Sequence, residues 1–300
     1  MNIHFSPEVG AALSNQKPIL ALESTIISHG MPYPQNLSFA QKAESLCLSL
    51  GVTPATIAII NGEIHVGLSH DLLEIIASSD DVKKVAQHEI GFATSNLWTG
   101  ATTVSSTMHI AHSAGIQVFA TGGIGGVHRG AELTFDISQD LNALSKIPMV
   151  VVSAGAKAIL DIPKTVEVLE SYGVPILGFQ TNEFPAFYSR ESGVELHLRA
   201  DSSRDIASIF TSHLQNDLKS AILVANPVPD DNEIPSNEME KYISDAILLA
   251  EKSNINGKAL TPFLLHQIKK DTLGKSLETN VALALNNVQL GAKIASSLRS

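Results

Sequence analysis

The most constraining feature of this chain is an alternation of short apolar runs with helical stretches. The runs are continuous and rich in β-branched residues, as expected for strands buried on both faces. They are PILAL (18–22), IQVFAT (116–121), MVVVSA (149–154), VPILGFQT (174–181) and AILVANP (221–227). Helical patterns lie between them, so the sequence predicts an α/β fold with a mostly parallel central sheet. No repeat, linker or break in composition divides residues 1–300, which predicts one domain.

Local signals refine this prediction. Asn61-Gly62 lies between two apolar runs and indicates a hairpin. Pro34 is expected to open a helix that ends near Leu50, because proline suits the first helical turn. Residues 102–115 are expected to form a helix that stops at Gly115. Two further helices are predicted, over 238–253 and 261–298.

Charge and composition exclude several classes of function. The net charge is −10, no run of basic residues is longer than two lysines, and aromatic residues make up 5% of the chain. A nucleic acid polymer requires a basic face, and single strands require aromatic stacking platforms, so neither is expected as a partner. A small anionic substrate is still allowed, since one helix N-terminus or a few cations can bind a phosphate.

The sequence predicts a cytoplasmic location. Its one cysteine, Cys47, lies in an amphipathic helical pattern and is expected to be a buried core thiol rather than a nucleophile. A single cysteine allows no internal disulfide, which fits a reducing compartment. The N-terminus has no signal-peptide pattern, and no apolar run reaches the roughly 18 residues of a membrane-spanning helix.

In parallel sheets, ligands bind beyond the carboxyl ends of the strands. The polar residues that directly follow each predicted strand are therefore expected to form the site. These are Glu23-Ser24-Thr25, the glycine-rich segment after IQVFAT, the GAK segment ending at Lys157, QTNEF (180–184) and NPVP (226–229).

The glycine-rich segment 119–141, FATGGIGGVHRGAELTFDISQDL, does not match the known phosphate loops. His128 stands where a dinucleotide fingerprint would have its third glycine, and Ala131 stands where a P-loop would have its lysine. The glycines still permit positive φ angles and a close approach of the backbone to a ligand. The alternative is a mobile surface loop.

Asp136 and Asp140 are four residues apart, with Ser138 between them as a plausible helix N-cap. If both acids were on one helix, their carboxylates would share a face and converge on a hard cation. The alternative is that acids at a helix start favour the positive end of the helix dipole.

Two residues after buried strands have the chemistry of catalysis. A neutral amine at Lys157 would attack carbonyl carbon and form a Schiff base, whereas the alternative is a surface lysine that begins a helix. Burial of Glu23 would make it a general acid, and the alternative is a capping residue. Lys84 would meet a phosphate or lie solvated at a strand edge. The eleven histidines form no recognised zinc motif.

Several ordered blocks of the sequence resemble the pseudouridine-5′-phosphate glycosidase family, also called the indigoidine synthase A family. They are LALESTIISHGMPYP, ATGGIGGVHRGAELTFDISQDL, VSAGAKAILDIPKTVEVLESYGVP, FPAFY, NPVP and TPFLL…SLETNVALALNN. The resemblance runs from about Leu20 to the C-terminus. It implies a three-layer α/β/α fold around a mixed sheet, a homotrimer and a divalent metal, usually Mn²⁺. It also implies reversible cleavage of pseudouridine 5′-phosphate to uracil and ribose 5-phosphate.

The resemblance also implies residue roles. Glu23 of the LEST motif would be the proton donor, and Lys157 of the AGAK motif the nucleophile that attacks C1′ and yields a ring-opened covalent adduct. Asp136 would bind the metal. The remaining positions are substrate contacts: Lys84 at the phosphate, Val104 through its backbone, His128 beside the base, and Ser138, Gln139, Asp140 and Asn280 as further polar contacts.

One segment departs from the family pattern. Where the family commonly has KVSRRDLP, this chain has KVAQHEIG, so that Gln87 and His88 replace two arginines. The change bears on phosphate binding or on contacts between subunits.

Two other functions remain open at this stage. One is a Schiff-base aldolase or lyase that acts on another sugar phosphate through Lys157. The other is a non-catalytic sugar-phosphate binding protein.

Overall fold

The computed structural model describes residues 1–255 and 260–299, and every strand in this part of the chain belongs to one sheet. The strands are β1 (Ile3–Phe5), β2 (Ile19–Leu22), β3 (Thr53–Ile60), β4 (Glu63–Val66), β5 (Lys83–Val85), β6 (Gly100–Thr102), β7 (Val118–Ala120), β8 (Val150–Ser153), β9 (Ile176–Phe179), β10 (Leu198–Ala200) and β11 (Ile222–Ala225). Their order is β1-β4-β3-β2-β7-β8-β11-β9-β10, with β6 beside β3 and β5 beside β6.

The sheet is mixed and mostly parallel, as the sequence and the resemblance predicted. Every pair from β3-β2 across to β9-β10 is parallel. The antiparallel pairs are β3-β4 and β3-β6. Strand β3 is longer than β2, so β2 pairs with its first half and β6 pairs with Ala58 and Ile59 beyond the end of β2. This exchange of neighbours brings β6 and β5 beside the carboxyl end of β2.

Helices cover both faces of the sheet, which gives the three-layer α/β/α arrangement. They are α1 (Pro7–Ser14), α2 (Thr25–Ser28), α3 (Gln35–Ser49), α4 (His70–Ser78), α5 (Ile90–Ser95), α6 (Val104–Ser113), α7 (Ala131–Thr134), α8 (Gln139–Lys146), α9 (Ile162–Ser171), α10 (Ser203–Gln215), α11 (Ser236–Lys252), α12 (Leu260–Asp271) and α13 (Lys275–Ser297). Helices α3, α13 and α10 contact one another in that order, and so do α6, α8 and α9. In the described ranges, none of the helices combines the length and apolar character needed to cross a bilayer.

Helix α13 packs unusually close to the sheet because it has a glycine at the contact. A Cβ atom on Gly291 would lie 2.9 Å from Leu20 of β2 and 3.1 Å from Ala120 of β7. One turn earlier, the buried amide of Asn287 donates to the carbonyls of Thr121 and Gly122, at 2.8 and 3.2 Å. The helix is therefore fixed to the loop that leaves β7.

Most elements agree with the sequence prediction. The hairpin at Asn61-Gly62 joins β3 and β4, and α3 follows Pro34. Cys47 is fully buried in α3, and burial raises the pKa of its thiol to about 12, which confirms a core thiol. The helix predicted from residue 102 begins at Val104, since Thr102 belongs to β6.

The prediction of one helix over 261–298 is wrong. Helices α12 and α13 are separated at Leu273 and Gly274, which both have positive φ angles, 51° and 91°. A left-handed glycine is a common helix terminator because it has no Cβ to clash. The apolar pattern continues through this turn, so periodicity alone did not reveal the break.

Candidate active site

A cleft of about 300 Å³ opens beyond the carboxyl ends of β2, β7 and β8. We call it the larger compartment. It contains nine of the ten residues predicted from the sequence: Glu23, Lys84, Val104, His128, Asp136, Ser138, Gln139, Asp140 and Lys157. The tenth, Asn280, lines an adjoining smaller compartment that shares Glu23, Thr25, Lys84 and Lys157 with the larger one. The predicted residues are therefore brought together, around the junction of the two compartments.

Glu23 directly follows β2 and is 5% exposed. Burial raises the pKa of its carboxyl group, and this effect is opposed in part by the charge of Lys157 and by a short hydrogen bond donated by Thr121. A carboxylic acid whose pKa is raised keeps its proton closer to neutral pH than an exposed one. Glu23 is thus suited to donate a proton inside the cleft.

The backbone around Glu23 is fixed by hydroxyl groups. Ser24 Oγ donates to the carbonyl of Ile57 in β3 at 2.6 Å and accepts from Thr102 N in β6 at 2.8 Å. Thr25 Oγ1 donates to the carbonyl of Thr102 at 2.8 Å. These bonds continue the sheet beyond the end of β2, so the carboxylate has a rigid support.

Lys157 lies in a loop that pairs with the glycine-rich segment. Its backbone N–H donates to the carbonyl of Ile124 at 3.1 Å, and Ile124 N donates in turn to Gly155 O at 3.0 Å. The two loops therefore extend the parallel ladder of β7 and β8 in an irregular form. Main-chain hydrogen bonds therefore hold Lys157 at the cleft that Glu23 also lines. The alternative, a surface lysine that begins a helix, is wrong.

The first half of the glycine-rich segment is mostly buried, unlike a surface loop, and its glycines are not left-handed. Gly130 has a positive φ of 78°, but the four glycines from 122 to 126 do not. Their function is close packing instead. A Cβ on Gly123 would lie 2.6 Å from the ring of Phe187, and one on Gly126 would overlap Thr165.

Asp140 connects three parts of the cleft. It lies in the first turn of α8, 6% exposed, and its two carboxylate oxygens accept from Ser105 N at 2.9 Å and Gly125 N at 2.8 Å. Ser138 caps α8 by accepting from Asp140 N at 3.2 Å, which confirms the predicted N-cap. Asp136 precedes α8, whereas Asp140 lies in it, so the two acids do not share a helix face. The prediction that they converge on a cation from one face of a helix is therefore wrong.

The opposite wall has donors suited to an anion. Lys84 is in β5, and Val104 is the first residue of α6, where backbone N–H groups have no intrahelical acceptor. Gln139 accepts from His88 Nδ1 at 2.6 Å. Of the two residues that replace the family's arginines, His88 lines the cleft, whereas Gln87 contacts His109 of α6.

His128 and Asp136 form the edge of the larger compartment. Nδ1 of His128 lies 4.0 Å from Asp136 Oδ2, and the pKa of the imidazole is lowered mainly by burial, with Asp136 opposing this effect. In the described residues, no group of three or more His, Cys, Asp or Glu side chains is arranged to hold a metal ion. The half-exposed carboxylate of Asp136 fits a hydrated divalent ion that completes its shell with water and substrate oxygens.

Two expectations about the strand ends are wrong. The segments QTNEF and NPVP do not line either compartment. QTNEF follows β9 and NPVP follows β11. In the sheet β11 is next to β8 and β9 is one strand further, at roughly 4.8 Å per strand, so both segments lie to one side of the cleft. Asn226 of NPVP is instead buried against Asn287.

Sequence reasoning missed two residues of the site. Thr121 was predicted as the last residue of the strand run IQVFAT, but β7 ends at Ala120, and nothing in the sequence indicated the bond from Thr121 to Glu23. His29 lines the smaller compartment at the end of α2. It had no signal, because a lone histidine after a four-residue helix has no periodic or motif context.

The fold and the cleft define a class: an α/β protein that presents a lysine and a protonatable carboxyl group at the carboxyl ends of parallel strands. The sequence model of the family described as indigoidine synthase A like protein matches residues 8–297 of the chain. The chain belongs to this family.

Curated relatives agree with the assignment. The chain is 50% identical to a protein named pseudouridine-5′-phosphate glycosidase from Caldanaerobacter subterraneus subsp. tengcongensis, over 99% of this chain and 96% of the relative. It is 52% identical to a protein of the same name from Staphylococcus aureus, over 98% of this chain and 95% of the relative.

Solved structures share the fold over nearly the whole chain. An indigoidine synthase A-like protein from Thermotoga maritima superposes with a TM-score of 0.90 at 36% identity, covering 99% of this chain and 97% of the other. A prealnumycin C-glycosynthase, crystallised with ribulose 5-phosphate, gives 0.91 at 35% identity with the same coverage.

The packing of the glycine-rich segment can be tested with Gly125→Ala. The added Cβ would lie 2.7 Å from Asp140 Oδ2 and closer still to Ser138 Oγ, so it separates Asp140 from the backbone it binds. We expect the free energy of unfolding in urea to fall by about 1–3 kcal/mol. Gly91→Ala is the matched control, because a Cβ there meets nothing within 4 Å and the residue is helical. Equal stability of the two variants would contradict this account.

Proposed function

We propose that this chain catalyses the reversible cleavage of pseudouridine 5′-phosphate to uracil and ribose 5-phosphate. The observation that carries the proposal is the meeting of Glu23 and Lys157 at the junction of two compartments. Relatives of about 50% identity have the name of this activity, and a neighbour of the same fold binds a five-carbon sugar phosphate. The substrate needs two adjoining spaces, one for the sugar phosphate and one for the base.

The bond to be cleaved joins two carbon atoms, so no heteroatom of the base is available as a protonated leaving group. Opening the ribose ring first provides another route. In the proposed first step the Lys157 amine attacks C1′ and the C1′–O4′ bond breaks, while Glu23 gives its proton to O4′. The product is an open-chain ribose attached to the enzyme through a C–N bond, a covalent intermediate of the kind lysine forms.

In the second proposed step the C1′–C5 bond breaks. The ammonium formed by the attack first returns a proton to Glu23. The nitrogen of Lys157 then supplies the electron pair for a C=N bond, and C5 of uracil takes up the proton from Glu23. Water then hydrolyses the C=N bond, which releases ribose 5-phosphate and the free amine. The net reaction consumes one water and needs no oxidant or reductant. A covalent route of this kind replaces one difficult step with easier ones.

The wall opposite Glu23 is suited to the phosphate. Lys84 provides a charge, and Val104 and Gln139, which line the cleft, begin α6 and α8, where backbone N–H groups have no intrahelical acceptor. Asp140 is a positioning residue here, since both its oxygens are used by backbone N–H groups. His128 belongs to the larger compartment, so its assignment beside the base stays a prediction.

We also propose that Asp136 binds Mn²⁺, with His128 beside it. When bound, the ion would neutralise charge on the sugar phosphate. The proposal rests on the exposed carboxylate at the rim, since oxygen ligands and water suit such a cation. A homotrimer and a cytoplasmic location stay predictions. Leu133 and Phe135, beside the cleft, are 86% and 82% exposed, as residues at a subunit contact would be in one isolated chain.

A Schiff-base aldolase is the alternative that shares Lys157. It would not need the smaller compartment, which adjoins the lysine and has polar side chains at its end. Competition by free uracil distinguishes the two functions, because only the glycosidase has a site for it.

The nucleophile is tested by Lys157→Ala. We expect uracil release from pseudouridine 5′-phosphate to fall to the background rate, because the variant lacks the amine that forms the covalent intermediate. Borohydride reduction of the wild type with ribose 5-phosphate should give a mass increase on Lys157. Lys146→Ala, on the exposed last turn of α8, is the control and should react as the wild type does. An adduct on another lysine would refute the assignment.

If Glu23 is the proton donor, kcat should depend on pH. Because the pKa of Glu23 is raised, its acid form persists above the range of an ordinary glutamate, and kcat should decline as the pH rises through that raised pKa. Glu23→Gln should lower kcat by about 10²- to 10⁴-fold and remove this limb of the profile. Glu44→Gln is the matched control, since Glu44 is half-buried, also has a pKa raised by burial, and accepts a hydrogen bond from Thr56 outside the cleft. An unchanged limb in Glu23→Gln would exclude it as the donor.

The metal assignment predicts that chelation lowers activity and that added Mn²⁺ restores it. Asp136→Asn should weaken Mn²⁺ binding by about tenfold or more, because it replaces the charged ligand, and titration followed by electron paramagnetic resonance measures this directly. Asp71→Asn, in the exposed first turn of α4, is the control. Equal Mn²⁺ affinity of the wild type and Asp136→Asn would show that the ion binds elsewhere.

A further inference from the structure

The smaller compartment contains a feature that the roles assigned so far do not use. Besides Glu23 and Lys157, its lining includes Gly122 and Gly123, with the ring of Phe187 packed against Gly123, and the side chain of Leu265. Glycine backbone, an aromatic ring and an aliphatic side chain therefore form much of its lining. Such a space suits a planar, unsaturated ring.

Two polar atoms end in this space without a partner. Within the described residues, His29 Nε2 and Asn280 Oδ1 are the buried side-chain nitrogen and oxygen atoms that make no hydrogen bond. Asn280 as a whole is 5% exposed. A buried polar atom without a partner is unfavourable, so two of them in one compartment indicate that a ligand supplies the missing hydrogen bonds.

The protonation state of His29 decides whether its Nε2 atom donates or accepts a hydrogen bond. Its imidazole makes a hydrogen bond with the backbone carbonyl of Val82, and because Nε2 is unpartnered, the bond belongs to Nδ1. A carbonyl accepts, so Nδ1 has the proton and Nε2 has a lone pair. Burial, and secondly the charge of Lys84, lower the pKa of His29 and maintain this neutral form. His29 therefore presents an acceptor, and Asn280 Oδ1 presents a second one.

Two acceptors require a ligand with two donors. Uracil that is joined to ribose through carbon C5 has two ring N–H groups, at N1 and N3. Uracil joined through nitrogen N1, as in uridine 5′-phosphate, has one, at N3. A pair of acceptors would be fully satisfied by the first and left half satisfied by the second, and a buried site built to hydrogen-bond a group strongly rejects an analogue that lacks it.

We propose that His29 is a specificity-determining residue, whose Nε2, together with Asn280 Oδ1, accepts the two ring N–H groups of a C5-linked uracil. The inference rests on the proposed function and deepens it. It explains how one pocket distinguishes a carbon-linked nucleotide from the abundant nitrogen-linked isomer of the same mass and charge. It also gives the free base a means of binding in the reverse reaction.

The test uses uracil, 1-methyluracil and 3-methyluracil as competitors of pseudouridine 5′-phosphate cleavage. Each methyl group replaces one ring N–H, so the wild type should bind both methyl compounds at least tenfold more weakly than uracil. In His29→Ala, uracil should bind about tenfold or more weakly, and the penalty for one methyl isomer should largely disappear, because the acceptor is gone and the space is free. In Asn280→Ala the penalty for the other isomer should disappear.

Controls separate this inference from misfolding and from failure of the proposed function. His29→Ala should still form the reduced adduct of ribose 5-phosphate on Lys157, which shows an intact sugar site. His29→Gln, which keeps an acceptor oxygen, should recover part of the uracil affinity, and His112→Ala, exposed on α6, should behave as the wild type. If His29→Ala keeps the wild-type ratios among the three competitors, or if His29→Gln recovers no affinity, His29 does not recognise the base. If the wild type releases no uracil at all, the proposed function itself is wrong.

Discussion

The carboxylate of Asp140 is the interaction on which the cleft depends. One of its oxygens accepts from the first turn of α6 and the other from the glycine-rich segment, while its own helix begins at the Ser138 cap. Three segments that are far apart in the sequence are thereby held at one edge of the sheet. Charge-assisted bonds to backbone N–H groups are among the stronger hydrogen bonds in proteins, and here they are buried. The same bonds explain why Gly125 has no side chain.

Opposed electrostatic effects set the chemistry of the cleft. Burial favours the protonated form of Glu23, whereas the nearby positive charges of Lys157 and Lys84 favour its ionised form, and burial is the larger effect. Burial likewise favours the neutral forms of His29 and His128, and the same lysine at position 84 adds to that effect. The site is therefore built from groups that exchange or accept protons, within a wall that attracts an anion.

The fold was largely predictable from the sequence because its main signals are local. Continuous β-branched runs, the Asn61-Gly62 turn and the proline before α3 each act through neighbouring residues, and each appears in the structure as expected. The break between α12 and α13 was not predicted, because the apolar pattern continues across Leu273 and Gly274. Strands β1, β6 and β10 were also missed, since three residues are too few to show a period.

The sequence by itself determined the candidates for the site. The carboxyl ends of parallel strands lie at one edge of the sheet, which selected Glu23, the glycine-rich segment and Lys157, and the family resemblance added Lys84, Val104 and Asn280. Its motifs also determined the family. Only the tertiary structure decided which strand ends meet, because strand order depends on long-range pairing, and it excluded the ends of β9 and β11 on that ground. It also decided that the glycines serve close packing and that His29 and Asn280 face one space. Such facts depend on contacts between different segments of the chain, which no local pattern records.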